Sequence, residues 1–153
     1  MLPVITISVL LDQIIKILVI LNMNLYQSIN IINNFFKITY VRNNGAAWSI
    51  LSGSRFFLIT ISIIACFLIY FYFIKNKELK KPEIFSYGIL LGGTIGNLID
   101  RIIHGYVIDY LDFKIFNYDF PIFNIADICI VIGIIFICII MIGGELNARN
   151  KNK

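Results

Sequence analysis

Four apolar stretches, residues 2–21, 56–74, 84–99 and 128–144, make up about half of the chain and limit its fold more than any other feature. Each approaches the roughly 20 helical residues that cross a hydrocarbon core about 30 Å thick. Lipid offers no water to the backbone, so such stretches must be helices that satisfy their own N–H and C=O groups. A soluble domain could not hide so much apolar surface, because 59% of the 153 residues are hydrophobic and only 14% are charged. The expected fold is an integral membrane, mainly α protein, one domain over 1–153. Its four transmembrane helices would cover about 2–21, 56–74, 84–101 and 127–144. The third stretch is the shortest and borrows Asp100 and Arg101 to gain length. The first has almost no basic residues ahead of it, and residues 21–24 offer no small-residue cleavage site, so it reads as a permanent anchor.

Charge sets the orientation. Lys75, Lys77, Lys80 and Lys81 crowd one connection, and Arg149, Lys151 and Lys153 crowd the tail. The other two connections are longer and carry only Lys37, Arg42, Arg55, Arg101 and Lys114. The positive-inside rule then puts both termini in the cytoplasm and segments 22–55 and 102–125 outside. The net charge of +4 is thereby accounted for as topology, and no nucleic-acid partner is expected. Within 22–55, Phe35, Phe36, Ile38, Tyr40 and Val41 suit short strands, and Asn43-Asn44-Gly45 is a turn signal. A small extracytoplasmic β platform is expected, resting on the membrane because a few short strands cannot stand alone. Trp48, Phe56 and Phe57 would be its interfacial aromatics.

Residues 92–127 hold five of the nine acids. Gly88, Gly92 and Gly96 recur every four residues and make a smooth helix face for close packing. One turn on, that packing presses Asn97, Asp100 and Arg101 toward the interior. Asp100 and Arg101 are adjacent on a helix, so they meet different partners. Asp127 stands where the last apolar stretch begins, a position the helix dipole favours for an acid. Asp109 follows an extended-looking run, and the chain between the two is long enough to turn and bring them together. Two close carboxylates cannot both ionise, so one keeps a proton near neutral pH. Such a pair can activate water and assist attack on a carbonyl, which is aspartic-protease chemistry. Asp112 and Asp119 read as solvated loop acids.

Other hydrolytic centres find no support. His104 is the one histidine, so an HExxH zinc site is ruled out. Ser52-Gly53-Ser54 lacks partners for a triad, and a lone histidine near a helix end reads as interfacial or structural. Cys66, Cys129 and Cys138 lie in apolar stretches without CxxC spacing and read as small apolar filler. No metal or organic cofactor is expected. Asp12 and Lys16 share a helix face at i and i+4. Either they neutralise each other for insertion, or Lys16 reaches outward and tunes the polar cluster.

In order along the chain, five blocks resemble those of the bacterial lipoprotein signal peptidases, also called signal peptidase II. Asp12-Gln13-Ile14-Ile15-Lys16 is similar to a first-helix D-x-x-x-K block. Arg42-Asn43-Asn44-Gly45-Ala46-Ala47-Trp48 is similar to N-x-G-A-A-aromatic. Gly96-Asn97-Leu98-Ile99-Asp100-Arg101 matches G-N-x-x-D-R, Gly105-Tyr106-Val107-Ile108-Asp109-Tyr110 matches G-x-V-x-D-aromatic, and Phe123-Asn124-Ile125-Ala126-Asp127 matches F-N-x-A-D. The last three fall between two apolar stretches, an arrangement of high specificity.

The resemblance implies that Asp109 and Asp127 are a catalytic aspartate pair. It implies that Asn43, Gly45, Asn97, Asp100, Arg101, Asn124 and Ala126, with Asp12 and Lys16, shape the site or hold substrate. The implied substrates are prolipoproteins whose cysteine already carries a diacylglyceryl group, cut on the N-terminal side of that cysteine. The implied setting is the bacterial cytoplasmic membrane, with the site near the outer leaflet and a monomer in contact with lipid. The segment 110–121 would close over substrate. Ile15 stands where the family often has Ser or Thr, which weakens a hydrogen-bonding role for the first block. Trp48 replaces a commoner Phe. The competing reading is a small non-enzymatic polytopic membrane protein, an ion path or assembly factor. It would spread acids across the membrane depth, whereas only Asp12 lies deep. The GxGD motif of another intramembrane aspartic protease family does not occur.

Overall fold

The computed structural model describes residues 1–45, 50–75, 78–116 and 118–151, the last seven of these by backbone only. Trp48, Lys77 and Lys153, and the side chains of Arg149 and Lys151, lie outside the described residues. The chain runs α1 (Leu2–Asn22), β1 (Ser28–Ile32), β2 (Phe36–Asn43), α2 (Arg55–Leu68), α3 (Lys81–Ile103), β3 (Val107–Ile115), β4 (Tyr118–Asp119) and α4 (Ile125–Lys151). A π-helical stretch, Ile69–Ile74, continues α2. Three helices are long and apolar enough to cross a membrane: Leu2–Asn22, Arg55–Ile74 and Ile125–Gly144. The expected fourth, α3, has 23 residues but is not among them. Its sequence is diluted by glycine and polar residues because it is enclosed by other helices rather than by solvent or lipid. Every residue from Ser86 to Gly93 is buried.

Glycine makes that enclosure possible. A Cβ at Gly88 would lie 2.8 Å from Val4, one at Gly92 2.5 Å from Ser8, and one at Gly96 2.6 Å from Asp12. The contacts advance by four residues on both helices, so α1 and α3 run side by side in the same direction. The opposite side of α3 meets α4. Gly93 packs under the Ala126 carbonyl and against Cys129, and Gly133 leaves room for the Leu90 backbone at 3.0 Å. α3 starts at a proline-containing first turn, where Glu83 accepts the Lys80 N–H at 2.7 Å.

The strands form one antiparallel sheet in the order β1-β2-β3-β4. The platform is therefore shared between the two long connections: β3, the extended run that leaves α3, pairs with β2 and adds to the strands expected within 22–55. β1 and β2 turn at Asn33-Asn34-Phe35, with Asn34 at φ 57°, a left-handed conformation that asparagine tolerates. Asn43-Asn44-Gly45, the turn signal, marks the end of β2. The sheet sits on the end of α1 through Val19, Met23, Tyr40, Ile108 and Tyr110. The expected closing segment 110–121 is largely β3 and β4, with Tyr110 buried in that core. Asp112 is half-buried and accepts a hydrogen bond from Thr39 Oγ1 at 2.6 Å, which ties it to the sheet. Asp119 is exposed on β4, 4.0 Å from Lys114 Nζ. Phe56 and Phe57 are exposed at the start of α2.

Candidate active site

β3 leaves α3 through Gly105 (φ 86°), where a side chain would be strained and would also crowd the Arg55 guanidinium at 3.3 Å. Arg55 in turn donates to the Arg101 and Ile102 carbonyls at 2.8 and 2.9 Å. These are the unpaired carbonyls at the end of α3, so α2 supplies its cap. The turn brings Asp109 into register with Val41 of β2 and buries it to 2% exposure. Asn43 donates to Asp109 Oδ2 at 3.0 Å, and Asn124 donates to Oδ1 at 2.7 Å.

Asp127 arrives from the other direction, on the first turn of α4. Asn124 Oδ1 accepts the Asp127 N–H at 3.0 Å, and Asp127 Oδ2 accepts the Asn124 N–H at 3.1 Å. This reciprocal cap satisfies two donors of the helix start. The other first-turn N–H groups are also taken: Ile125 donates to the Tyr110 hydroxyl at 3.3 Å and Ala126 to Asp12 Oδ1 at 3.0 Å. Asp127 Oδ1 accepts from Asn97 at 2.7 Å, and Asn97 Oδ1 accepts from Asn124 at 3.1 Å. Asn124 therefore touches both carboxylate-bearing residues, and Asn97 links to it from α3.

Both aspartates open on one cavity of about 480 Å³. Its polar end is formed by Asn43, Asn97, Arg101, Asp109 and Asp127; its apolar walls come from residues 120–123 and from one side of α4. Burial, and then the charge of Asp127, push the Asp109 carboxyl up to about 7. Asp109 thus holds a proton where an ordinary aspartate has lost it. Arg101 donates to the Gly45 carbonyl at 2.9 Å, and the Gly45 N–H donates to Asn43 Oδ1 at 2.9 Å. The end of β2 is so fastened over the polar end of the cavity.

Behind the aspartates lies a second buried cluster. Lys16 Nζ donates to Asp12 Oδ2 at 2.8 Å, Asp100 Oδ2 at 2.9 Å and Asn97 Oδ1 at 2.9 Å. Its three protons have three acceptors. Asp12 and Asp100 are fully buried and Lys16 is 1% exposed. The pair of α1 thus both neutralises charge and reaches the polar cluster. Asp100 and Arg101 do face different partners, Lys16 and Gly45.

All eleven residues singled out from the sequence converge here. Three further contributors were not singled out: Gln13, Tyr110 and Arg55. Tyr110 occupied the aromatic position of a quoted block, and Gln13 lay inside another, so their positions were visible though their contacts were not. Ile15 offers no hydroxyl, yet the first block still hydrogen-bonds through Gln13. His104 stays outside, exposed and stacked at 5.7 Å on Tyr106. Among the described residues no group of three His, Cys, Asp or Glu is arranged to hold a metal ion.

The family model described as signal peptidase (SPase) II matches residues 4–143. A lipoprotein signal peptidase of Staphylococcus aureus is 41% identical over 143 residues, covering 94% of this chain and 88% of that protein. The protein from strain Newman gives the same figures. A solved structure described as a bacterial membrane enzyme at 2.3 Å resolution superposes with a TM-score of 0.89 at 39% identity, covering 95% of this chain and 89% of the other. A second, at 1.9 Å, gives 0.82 at 40% identity over 92% and 90%. Matched along nearly its whole length, the chain belongs to the signal peptidase II family.

Proposed function

We propose that this chain removes the signal peptide from diacylglyceryl-modified prolipoproteins at an aspartate pair, Asp109 and Asp127. Its membership of the signal peptidase II family supports the reaction and sets aside the ion-path reading. The observation that carries the residue assignment is Asn124, whose side chain bonds Asp109 while capping the helix turn that bears Asp127. One carboxyl holds a proton and the other is ionised. The ionised one takes a proton from water as it attacks the scissile carbonyl, and the protonated one donates to the carbonyl oxygen. The tetrahedral intermediate then collapses as a proton passes to the leaving amine, here the amine of the lipidated cysteine.

Arg101, Asn43 and Gly45 bind substrate backbone at the polar end, and the apolar walls receive its hydrocarbon. The single domain has four membrane-spanning helices. α3, about 35 Å long at 1.5 Å per residue, crosses inside the bundle where lipid does not see its polar face. Both termini are cytoplasmic, from the Lys and Arg distribution, which puts the aspartates at the outer leaflet, where an acylated cysteine resides. The chain acts as a monomer in lipid contact. Mass spectrometry of products from a synthetic diacylglyceryl prolipoprotein tests the reading. A free amine on the lipidated cysteine supports it; cleavage elsewhere, or none, overturns it.

A further inference from the structure

The residues just before the two aspartates are held in a matching way. The Ile108 N–H donates to Asp100 Oδ2 at 3.0 Å, and the Ala126 N–H donates to Asp12 Oδ1 at 3.0 Å. Each carboxylate thus fixes the peptide one residue ahead of Asp109 or Asp127. Two buried carboxylates share one ammonium, Lys16, so a further donor is needed to hold both orientations. Gln13 supplies it. Its Nε2 lies 3.2 Å from Asp12 Oδ2, 3.0 Å from Asp100 Oδ1 and 3.2 Å from the Gly96 carbonyl. Gln13 is half-buried on α1 and does not line the cavity. We propose that Gln13 is a positioning residue for peptide hydrolysis: by bridging Asp12 and Asp100 it fixes the two carboxylates that hold the backbone just ahead of Asp109 and Asp127, and so keeps both aspartates at the cavity they line.

The proposal rests on the aspartate-pair reading and makes a distinct demand. A glutamate at position 13 is close in size but, when ionised, puts a third carboxylate beside Asp12 and Asp100. When protonated it regains one donor. Lys16 is the cation of this cluster, and Arg101 is the nearest other cation on α3; neither is altered by the substitution.

The test uses the full chain in detergent with a diacylglyceryl-modified prolipoprotein peptide, comparing wild type, Gln13→Leu and Gln13→Glu. A misplacement of the pair predicts kcat lower by about ten- to a hundredfold in Gln13→Leu, with KM within about twofold. Gln13→Glu should be equally slow near pH 8 and should recover relative to Gln13→Leu as the pH is lowered through the range from about 6.5 to about 5, because a carboxyl placed beside the buried Asp12 and Asp100 takes up its proton earlier than a free glutamate. Hydrogen exchange should quicken at the Ile108 and Ala126 amides in both variants, while the α2 amides are unchanged. Wild-type kcat in both variants overturns the proposal. So does a lowered melting temperature with unchanged turnover per folded molecule, which would mark Gln13 as merely structural. Parallel pH profiles of the two variants also overturn it. An inert wild type, by contrast, would locate the failure in the proposed function itself.

Discussion

Asn124 and Asp127 cap each other: the asparagine carbonyl takes the aspartate N–H at 3.0 Å, and the aspartate carboxylate takes the asparagine N–H at 3.1 Å. One member of the aspartate pair is therefore the N-terminal acid of a helix, and its partner residue is also the amide that bonds Asp109. These two roles separate by substitution. Asn124→Ser keeps a capping oxygen and removes the amide; Asn124→Ala removes both. Both variants lose the buried amide's bonds to Asp109, Asn97 and the Ile108 carbonyl and should melt below wild type; the alanine variant, which also loses the cap, should melt about 1 kcal/mol below the serine variant. Both should lose turnover, because both strip Asp109 of its 2.7 Å donor. Thermal melts and peptide cleavage measured on the same preparations check this.

Lys16 stands between two fully buried carboxylates. Lys16→Met keeps the length and removes the charge, leaving Asp12 and Asp100 uncompensated. Breaking a buried pair in this way costs about 3–5 kcal/mol. Adding Asp12→Asn and Asp100→Asn to Lys16→Met should return part of that loss without returning activity. A melt series in one detergent distinguishes this from a simple additive decline.

Gly96→Ala places a methyl group 2.6 Å from Asp12 Oδ2, on the rigid face between α1 and α3. Overpacking of this kind costs about 1–3 kcal/mol. Here it also displaces the carboxylate that holds the Ala126 N–H, so turnover should fall together with stability. Gly143→Ala meets open space within α4, so it should leave turnover unchanged and hold or slightly raise the melting temperature. Comparing the two variants for melting temperature and kcat checks the packing argument against a general effect of altering helix glycines.

Much of this architecture was legible in the residues. Apolar stretches between charged connections marked out the helices, because backbone in lipid has no alternative. The Gly88, Gly92 and Gly96 stripe announced close packing, and the spacing of Asp109 and Asp127 allowed their meeting. What the residues did not reveal depends on partners far apart in the chain. β3 belongs to the platform because β2 lies beside it, a pairing no local pattern encodes. The β1–β2 turn falls at Asn33–Phe35, while Asn43-Asn44-Gly45 is held by tertiary bonds to Asp109 and Arg101. α3 is less apolar than α1 and α4 for the same reason: its polar face is paired inside the protein.

The pH dependence follows from Asp109. Burial and the neighbouring Asp127 charge raise its carboxyl from the ordinary value to about 7, so the proton is present below that pH and lost above it. A reaction needing the singly protonated pair should therefore slow as pH rises through about 7, and slow again in acid when the second carboxylate is protonated. In Asp127→Asn the neighbouring charge is gone, so the Asp109 proton should leave at lower pH. Carboxyl carbon NMR of labelled aspartate reads this shift even in an inactive variant.

The measurement that bears most directly on the aspartate pair is cleavage of a diacylglyceryl-modified prolipoprotein by Asp109→Asn and Asp127→Asn beside wild type, with substrate binding followed in parallel. Each substitution keeps the size of the side chain and removes its titratable acid. The account predicts that wild type cuts before the lipidated cysteine, and that both variants bind substrate without cutting it. Near-wild-type turnover by either variant would contradict the pair and turn attention to Asp100, the buried aspartate of α3.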